Sequence, residues 1–505
     1  MTPDETITQE ALARLHAGHP AGAAQVLRNA LVQNPRWAVG WFNLAHVLRT
    51  QGQADGALKA LATALECGLQ QPEDAHLNRA LIYSDQLHDV VAAETELRRA
   101  LHFRPGWLLA LLNLGNLHEE RGQRDEAAAC YDQVLATEPP VMADELARHR
   151  DLQVEALARR VHLSAPDAAG SAPAMALRTA LHDAERGRAA RINAGHSLGQ
   201  LLDAQGRFDE AFAVLAEANR LASEHTRPYD PAGTERAVAS LMRAYDGQER
   251  QAQHRAGDDD FEPLFICGAF RSGSTLIEQV LGAHPDVIAG GELDWLMRRI
   301  MLPPLGPYPE SVAALDAPRL DEVAQAYRAH LTRLFPLTRF ARYVTDKRPD
   351  NLLLVGLIKS LFPKARIVLT VRDPMDIGLS MYSQHLNPAR VPYATDLGAI
   401  GHHLAQMQRL AAYWRSRWPG DVVEVDYDQL VREPRAAIER LLAFLGLPWD
   451  ERCVEFHRHV GVVRTASFRQ VRQPFHGRSS GRWRQYATHL EPLAQALRQN
   501  GLEAG

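Results

Sequence analysis

Residues 268 to 275, Gly-Ala-Phe-Arg-Ser-Gly-Ser-Thr, keep the frame of a nucleotide phosphate loop, G-x-x-x-x-G-K-[ST], with Ser274 in the lysine position. In such a loop the glycines let backbone amides converge on phosphate oxygens, and the N-terminus of the next helix adds partial positive charge. The lysine reaches the terminal phosphates of a triphosphate. Its loss points to a different phosphate-like anion and away from ATP hydrolysis. Arg271 sits inside the loop, where a planar guanidinium can grip an anionic group by a charge-assisted fork. A second arginine, Arg372, ends the β-branched run 365–371. Asp373 suits an N-cap, Pro374 the first helical position and Asp376 the third, so a helix should begin there and carry Ser380 in its second turn. An arginine at a strand end and a serine on the next helix can face one anion.

The neighbouring elements fit these placements. Residues 264–267 form an apolar run that reads as a buried strand, and 276–281 continue as a helix without glycine or proline to break it. A further apolar helix is expected over 352–362, and strands over 287–289 and 422–425. The first half of the chain is repetitive. Gly18, Ala23, Leu27 and Ala30 return as Gly52, Ala57, Leu61 and Ala64, a displacement of 34 residues and the period of a tetratricopeptide (TPR) repeat. Gly115, Gly122, Ala127 and Tyr131 give another copy, as do Gly199, Gly206, Ala211 and Leu215, while 71–105 is looser. Antiparallel helices approach closely only where a small residue faces a bulky one, and stacked pairs then share a core and leave a concave groove. The register is lost between about 140 and 190, read as an irregular helical stretch.

The segments Arg271-Ser272-Gly273-Ser274-Thr275-Leu276, Ala283-His284-Pro285-Asp286-Val287, Gly291-Glu292, Thr345-Asp346-Lys347 and Arg372-Asp373-Pro374 stand in the order found in the sulfotransferase family. Over about 261 to 500 the chain resembles most closely the tyrosylprotein branch and the bacterial proteins that join such a domain to TPR repeats. The resemblance implies an α/β, P-loop-like domain with a central parallel sheet. It implies 3'-phosphoadenosine 5'-phosphosulfate (PAPS) as co-substrate and no metal. The loop of Arg271, Ser272, Gly273, Ser274 and Thr275 would cradle the 5'-phosphosulfate, and Arg372 and Ser380 would hold the 3'-phosphate. Glu292, which follows Gly290-Gly291, corresponds to the family's catalytic base, and Lys347 and Arg271 to the groups that meet developing negative charge. Tyr427 corresponds to a tyrosine against adenine, and Ser467 and Arg482 to contacts from a segment that closes over the nucleotide. Two positions depart from the pattern: Asp294 replaces an arginine of the tyrosylprotein enzymes, and Arg482 replaces a lysine. Read from the residues alone, Glu292 could equally be a solvated carboxylate, Lys347 an exposed ion-pair partner and Tyr427 core packing. His284 is expected to cap or pack its turn.

Composition narrows the field. A chain of 505 residues with 46% apolar content can fill the cores of two or three domains. Fifty-six basic against 61 acidic residues, a net charge of −5, give no electrostatic case for nucleic acid or an anionic membrane. Cys67, Cys130, Cys267 and Cys453 lack the spacing of a disulfide framework or a zinc site, and the N-terminus lacks the pattern of a signal peptide. The expectation is a cytoplasmic protein in which residues 1–224 are an all-α TPR solenoid, 225–260 a linker that is helical in part, and 261–505 the sulfotransferase domain. Its expected activity is transfer of a sulfuryl group to a hydroxyl acceptor, a protein tyrosine among the candidates. The TPR groove offers a site for a protein or peptide acceptor, and scaffolding or homodimer formation is the competing role. Two other classes stay open: a TPR adaptor with an inactive nucleotide-binding domain, and a P-loop kinase, for which neither the lysine nor a magnesium-binding acid is evident.

Overall fold

The computed structural model describes residues 2–140, 142–163, 171–246, 261–337, 340–458 and 470–503. It divides into two compact units, 1–119 with 123–163, and 120–122 with 164–505. The first is helical. Pro3–His16 pairs with Pro20–Gln33, Ala38–Thr50 with Ala54–Glu66, Pro72–Asp85 with Val90–Phe103, and Leu108–Glu120 is followed by Arg124–Ala136 and Ala143–Leu163. The 34-residue spacing has a backbone cause. Gly18 and Gly52 turn the chain between the helices of a pair at φ of 78° and 73°, and in the looser third pair His88 takes that role at 54°. Gly115 faces Tyr131 so closely that a Cβ would lie 2.6 Å from its ring, the small-against-bulky contact the repeat requires.

The second unit reaches further back than the expected boundary near 224. Helices Arg188–Ala204 and Phe208–Ser223 form a repeat-like pair, with Gly199 against Leu215, yet they belong to the same unit as the sheet. Asn219 Nδ2 donates to the Tyr382 carbonyl at 2.9 Å and Gln200 Nε2 to that of Ser383 at 3.0 Å. The repeat pattern encodes the contact inside a pair and not what the outer face of the pair meets. The expected linker also contains a core element. Helix Pro231–Ala244 is capped by Asp230 and buries Val238, Leu241 and the following Tyr245 in the core under the sheet. Residues 247–260 lie outside the described residues.

The sheet consists of β1 (Glu262–Gly268), β2 (Val287–Ile288), β3 (Tyr343–Lys347), β4 (Arg366–Val371) and β5 (Val422–Asp426), ordered β2-β3-β1-β4-β5 with every pair parallel. Side chains alternate across it. Leu264, Ile266 and Val368 face the core that includes helices Ser274–Gly282 and Pro434–Leu445, while Phe265, Cys267, Ile367 and Leu369 face the core around 352–362 and Trp414. From β1 the chain winds toward β2, and from β4 toward β5, so the direction reverses between β1 and β4. Ligands of open parallel sheets bind at the carboxyl ends of the strands beside such a reversal, which is where the 268–275 loop and Arg372 emerge. Among the described residues no helix is long and apolar enough to cross a membrane.

Candidate functional site

The loop after β1 is held open by its backbone. Gly268 and Gly273 have φ of 148° and 100°, and Arg271 also lies in the left-handed region at 70°. A Cβ on Gly268 would meet Thr370 at 2.5 Å, and one on Gly273 would meet the Tyr427 ring at 2.5 Å. Ser272 Oγ donates to the Ala269 carbonyl at 2.6 Å and is bonded to the Thr370 hydroxyl, which stitches the loop to the end of β4. Ser272 is therefore a buried brace of the loop. Helix Ser274–Gly282 starts at Gly273 with no side-chain cap, so its first turn keeps the anion-binding character of a helix N-terminus. Ser274 and Thr275 are buried in that turn.

Arg271, Arg372 and Ser380 come together. Asp373 caps helix Pro374–Tyr382 by accepting from Met375 N, which sets Ser380 on the second turn as the sequence indicated. Arg271 Nε donates to Ser380 Oγ at 2.9 Å, and an Arg372 Nη donates to the Arg271 carbonyl at 3.3 Å. Burial first, then the neighbouring Arg372, bring the Arg271 guanidinium down to about 10. Two neighbouring cations, one of them held down by burial, favour an anion beside them. Arg372 Nε is buried without a hydrogen-bond partner among the described residues. The Arg372 guanidinium also lies 4.7 Å over the Tyr427 ring. Arg271, Gly273, Thr275, Arg372, Tyr427 and Phe475 line one cavity, which brings two aromatic rings and both arginines to the same space.

On the other side of β1, Lys347 ends β3 completely buried, and its Nζ donates to Glu292 Oε1 at 2.7 Å. The Gly290-Gly291 turn places Glu292 there. Gly290 N donates to Thr345 Oγ1 at 2.9 Å, Gly291 N to Glu278 Oε1 at 2.9 Å, and Lys347 N to the Gly291 carbonyl at 2.9 Å. Thr345 Oγ1 donates in turn to Glu278 Oε1 at 2.7 Å. Burial pushes the Glu278 carboxyl upward. Beneath Lys347, Asp346 accepts from Tyr327 OH at 2.7 Å and from Asn351 Nδ2 at 2.9 Å, and burial raises it to about 7.

Other expected site residues fall elsewhere. Arg482 pairs with Asp203 on helix Arg188–Ala204, and it is the backbone of its segment that meets the site: Gly481 N and Trp483 N donate to the two oxygens of Asp376, at 2.6 and 2.9 Å. Ser467 lies outside the described residues. Asp294 is occupied by Arg298, 2.6 Å away. His284 packs its turn, with Nδ1 accepting from Asp286 N at 3.1 Å and Nε2 on the Pro448 carbonyl at 3.0 Å. Among the described residues no group of three or more His, Cys, Asp or Glu stands where it could hold a metal ion.

Two regions of the chain match known families. Residues 263–451 match the model of the sulfotransferase family, and residues 110–141 match a tetratricopeptide repeat. The parallel-sheet domain is a sulfotransferase-family domain. An uncharacterized protein of Aquifex aeolicus is 29% identical over 420 residues, covering 80% of this chain and 52% of that protein. The chain thus spans about half the length of that relative. Protein-tyrosine sulfotransferase 1 of Danio rerio is 28% identical over 223 residues, 42% of this chain and 61% of that enzyme. Among solved structures, the sulfotransferase domain of the Synechococcus PCC 7002 olefin synthase aligns at 21% identity and a TM-score of 0.33, covering 46% of this chain and 91% of that domain.

Sequence reasoning about the sulfotransferase domain missed several groups around the site. Glu278 and Thr345 hold the Gly290-Gly291 turn, Asp376 receives the 481–483 backbone, and Phe475 lines the cavity. Glu278 stands between the apolar pairs Leu276-Ile277 and Val280-Leu281 of helix Ser274–Gly282 and is buried with Ile277, Val280 and Leu281. A charged residue at an apolar helical position was the available signal.

Proposed function

We propose that the chain moves the sulfuryl group of PAPS to an acceptor hydroxyl, a protein tyrosine among the candidates. The observation that carries the reading is the 2.7 Å pairing of Glu292 with Lys347 at the carboxyl end of the same sheet that presents Arg271, Arg372 and Ser380. The donor fits these residues. The partnerless Arg372 Nε and the hydroxyl of Ser380 suit a 3'-phosphate, the open loop and uncapped helix suit the 5'-phosphosulfate, and Tyr427 with Phe475 suits adenine. Bound PAPS supplies an activated sulfuryl group, whose bond to the bridging oxygen breaks as the bond to the acceptor oxygen forms.

The chain's own residues do the rest. Glu292 takes the acceptor proton as general base, and because Lys347 engages Oε1, that proton goes to Oε2. Lys347 meets the negative charge that grows on the bridging oxygen, and burial makes its fixed charge effective there. Arg271 holds anionic oxygens at the mouth of the loop and needs no metal ion for that. The TPR helices supply a surface on which a protein or peptide acceptor can dock. Four free thiols favour a reducing compartment, in keeping with a cytoplasmic location.

Calorimetry with adenosine 3',5'-bisphosphate and AMP, without divalent metal, tests the donor site. The bisphosphate should bind at least about tenfold more tightly, since a charge-assisted contact contributes roughly 1.5–3 kcal/mol. Incubation of a lysate with sulfur-labelled PAPS and the chain should then show whether label enters protein, carbohydrate or small molecules. Equal affinity for the two nucleotides, with no label transferred, would sink the reading.

A further inference from the structure

The helix pair Arg188–Ala204 and Phe208–Ser223 reads in sequence as one more repeat, but its contacts run into the donor site. Asp203, in the last turn of the first helix, bonds Arg482 through Oδ2 and accepts from Tyr486 OH through Oδ1. Arg482 lies within, and Tyr486 just after, a segment, 479–483, that is fixed to the nucleotide-binding elements. An Arg372 Nη donates to the Ser479 carbonyl, Ser480 Oγ to Asp428 beside Tyr427, Gly481 N and Trp483 N to Asp376, and Trp483 Nε1 to Asp373 at 3.2 Å. The second helix reinforces the arrangement. Phe212 stacks on Tyr382, the last residue of the Ser380 helix, with centroids 5.4 Å apart, and on His489 at 4.5 Å. Asp209 accepts from His489 at 2.7 Å.

We propose that Asp203 is a positioning residue for the nucleotide site: by holding Arg482 and Tyr486 it seats the 479–483 backbone against Arg372 and Asp376 and so fixes the 3'-phosphate pocket. This role presupposes PAPS as the donor held by Arg372 and Ser380. Both Asp203 oxygens are used, by two residues four apart, so the carboxylate clamps a whole turn and not a single side chain. Arg372 has one amino group committed to the Ser479 carbonyl, one to the Arg271 carbonyl and its Nε unpartnered. Moving Ser479 would let the guanidinium rotate and take Nε out of register with a phosphate. A helical pair of repeat type therefore serves the catalytic domain as a wall of its donor site.

The test uses the full chain. Asp203→Asn keeps the shape but removes the charge, and Asp203→Glu keeps the charge. Asp203→Asn should lose about tenfold in affinity for adenosine 3',5'-bisphosphate while AMP, which lacks the 3'-phosphate, binds within about twofold of wild type. In turnover the KM for PAPS should rise with kcat at saturating donor little changed, and Asp203→Glu should restore part of the bisphosphate affinity. Undiminished bisphosphate affinity in Asp203→Asn overturns the proposal. So does an equal loss for both nucleotides with a lowered melting temperature, which is what a merely structural carboxylate would give. A wild-type chain that does not distinguish the two nucleotides overturns the donor assignment itself, and this proposal with it, and is thereby told apart from a failure confined to the variants.

Discussion

Lys347 Nζ and Glu292 Oε1 lie 2.7 Å apart, with the lysine side chain fully buried and the glutamate side chain 37% exposed. The asymmetry suits the tasks proposed for them. The lysine is fixed inside the sheet edge, where its charge acts in a medium of low dielectric, and the glutamate keeps a face open to an incoming hydroxyl. A buried ammonium also needs a partner, so any variant that removes the carboxylate must leave an acceptor atom behind.

Glu292→Gln meets that condition, because the amide carbonyl still accepts from Lys347. Turnover on the true acceptor should fall by about 10²–10⁴, the usual contribution of a general base, while affinity for adenosine 3',5'-bisphosphate stays within about twofold. Acceptors with a more acidic hydroxyl should recover part of the loss. Near-wild-type turnover would remove Glu292 as base, and His284 would not replace it, since one of its nitrogens is bonded to Asp286 N and the other to the Pro448 carbonyl.

Lys347→Met should also slow turnover, by about 10²–10³ if the lysine stabilises the leaving oxygen. Artificial sulfate donors with a more acidic leaving group should restore rate to this variant and not to Glu292→Gln. Rescue of both by the same donor series would mean that the two residues act as one structural unit.

The fold was legible where period and turn chemistry speak directly. A short unbroken apolar run marked β1 and a β-branched run marked β4, the Asp373-Pro374 pair marked the start of the Ser380 helix, and glycines 34 residues apart marked the repeats. β3 did not read as a strand because Thr345, Asp346 and Lys347 break its apolar pattern, and all three are buried by partners far away in sequence, including Glu278, Tyr327 and Glu292. The same non-locality hid the link from Asp203 to Arg482. Position 482 could be matched to the family, but the carboxylate that holds it lies 279 residues earlier.

Gly273→Ala tests the loop. The position has a φ of 100°, and a Cβ would strike the Tyr427 ring, which itself carries Arg372. Backbone strain of about 1–3 kcal/mol and a displaced Tyr427 should both follow. Urea unfolding should show the lost stability, and titration should show weaker binding of the bisphosphate and AMP alike, because the loop and the Tyr427 wall of the cavity move together.

Glu278→Ala would leave Gly291 N–H and the Thr345 hydroxyl without their shared acceptor, at a cost of roughly 1–3 kcal/mol for each group that stays buried and unbonded. The Gly290-Gly291 turn should loosen and Glu292 with it, so kcat should fall while nucleotide affinity holds. Glu278→Gln retains the acceptor oxygen, and because burial already favours the uncharged form of this group, it should stay close to wild type in both stability and kcat. Equal damage from Gln and Ala would show that the charge, and not the acceptor, matters.

Asp346 should give the domain a measurable pH dependence. Burial raises its carboxyl from 3.8 to about 7, against the hydrogen bonds from Tyr327 and Asn351 and the charge of Arg348, which favour the ionised form. The folded state therefore holds this proton through a range in which the unfolded chain has released it. Between about pH 4 and 7 the unfolded state binds fewer protons, so this group makes the unfolding free energy decline as pH rises, with the decline ending above about 7. Asp346→Asn has no proton to lose and should not show that decline. Measured by urea unfolding from about pH 5 to 8, the stability of the variant minus that of wild type should grow toward pH 7 and then level off, with the other carboxylates cancelling in the difference. A difference that stays flat across the range would mean that Asp346 is ionised throughout, held by its two donors, Tyr327 and Asn351, more strongly than burial opposes it.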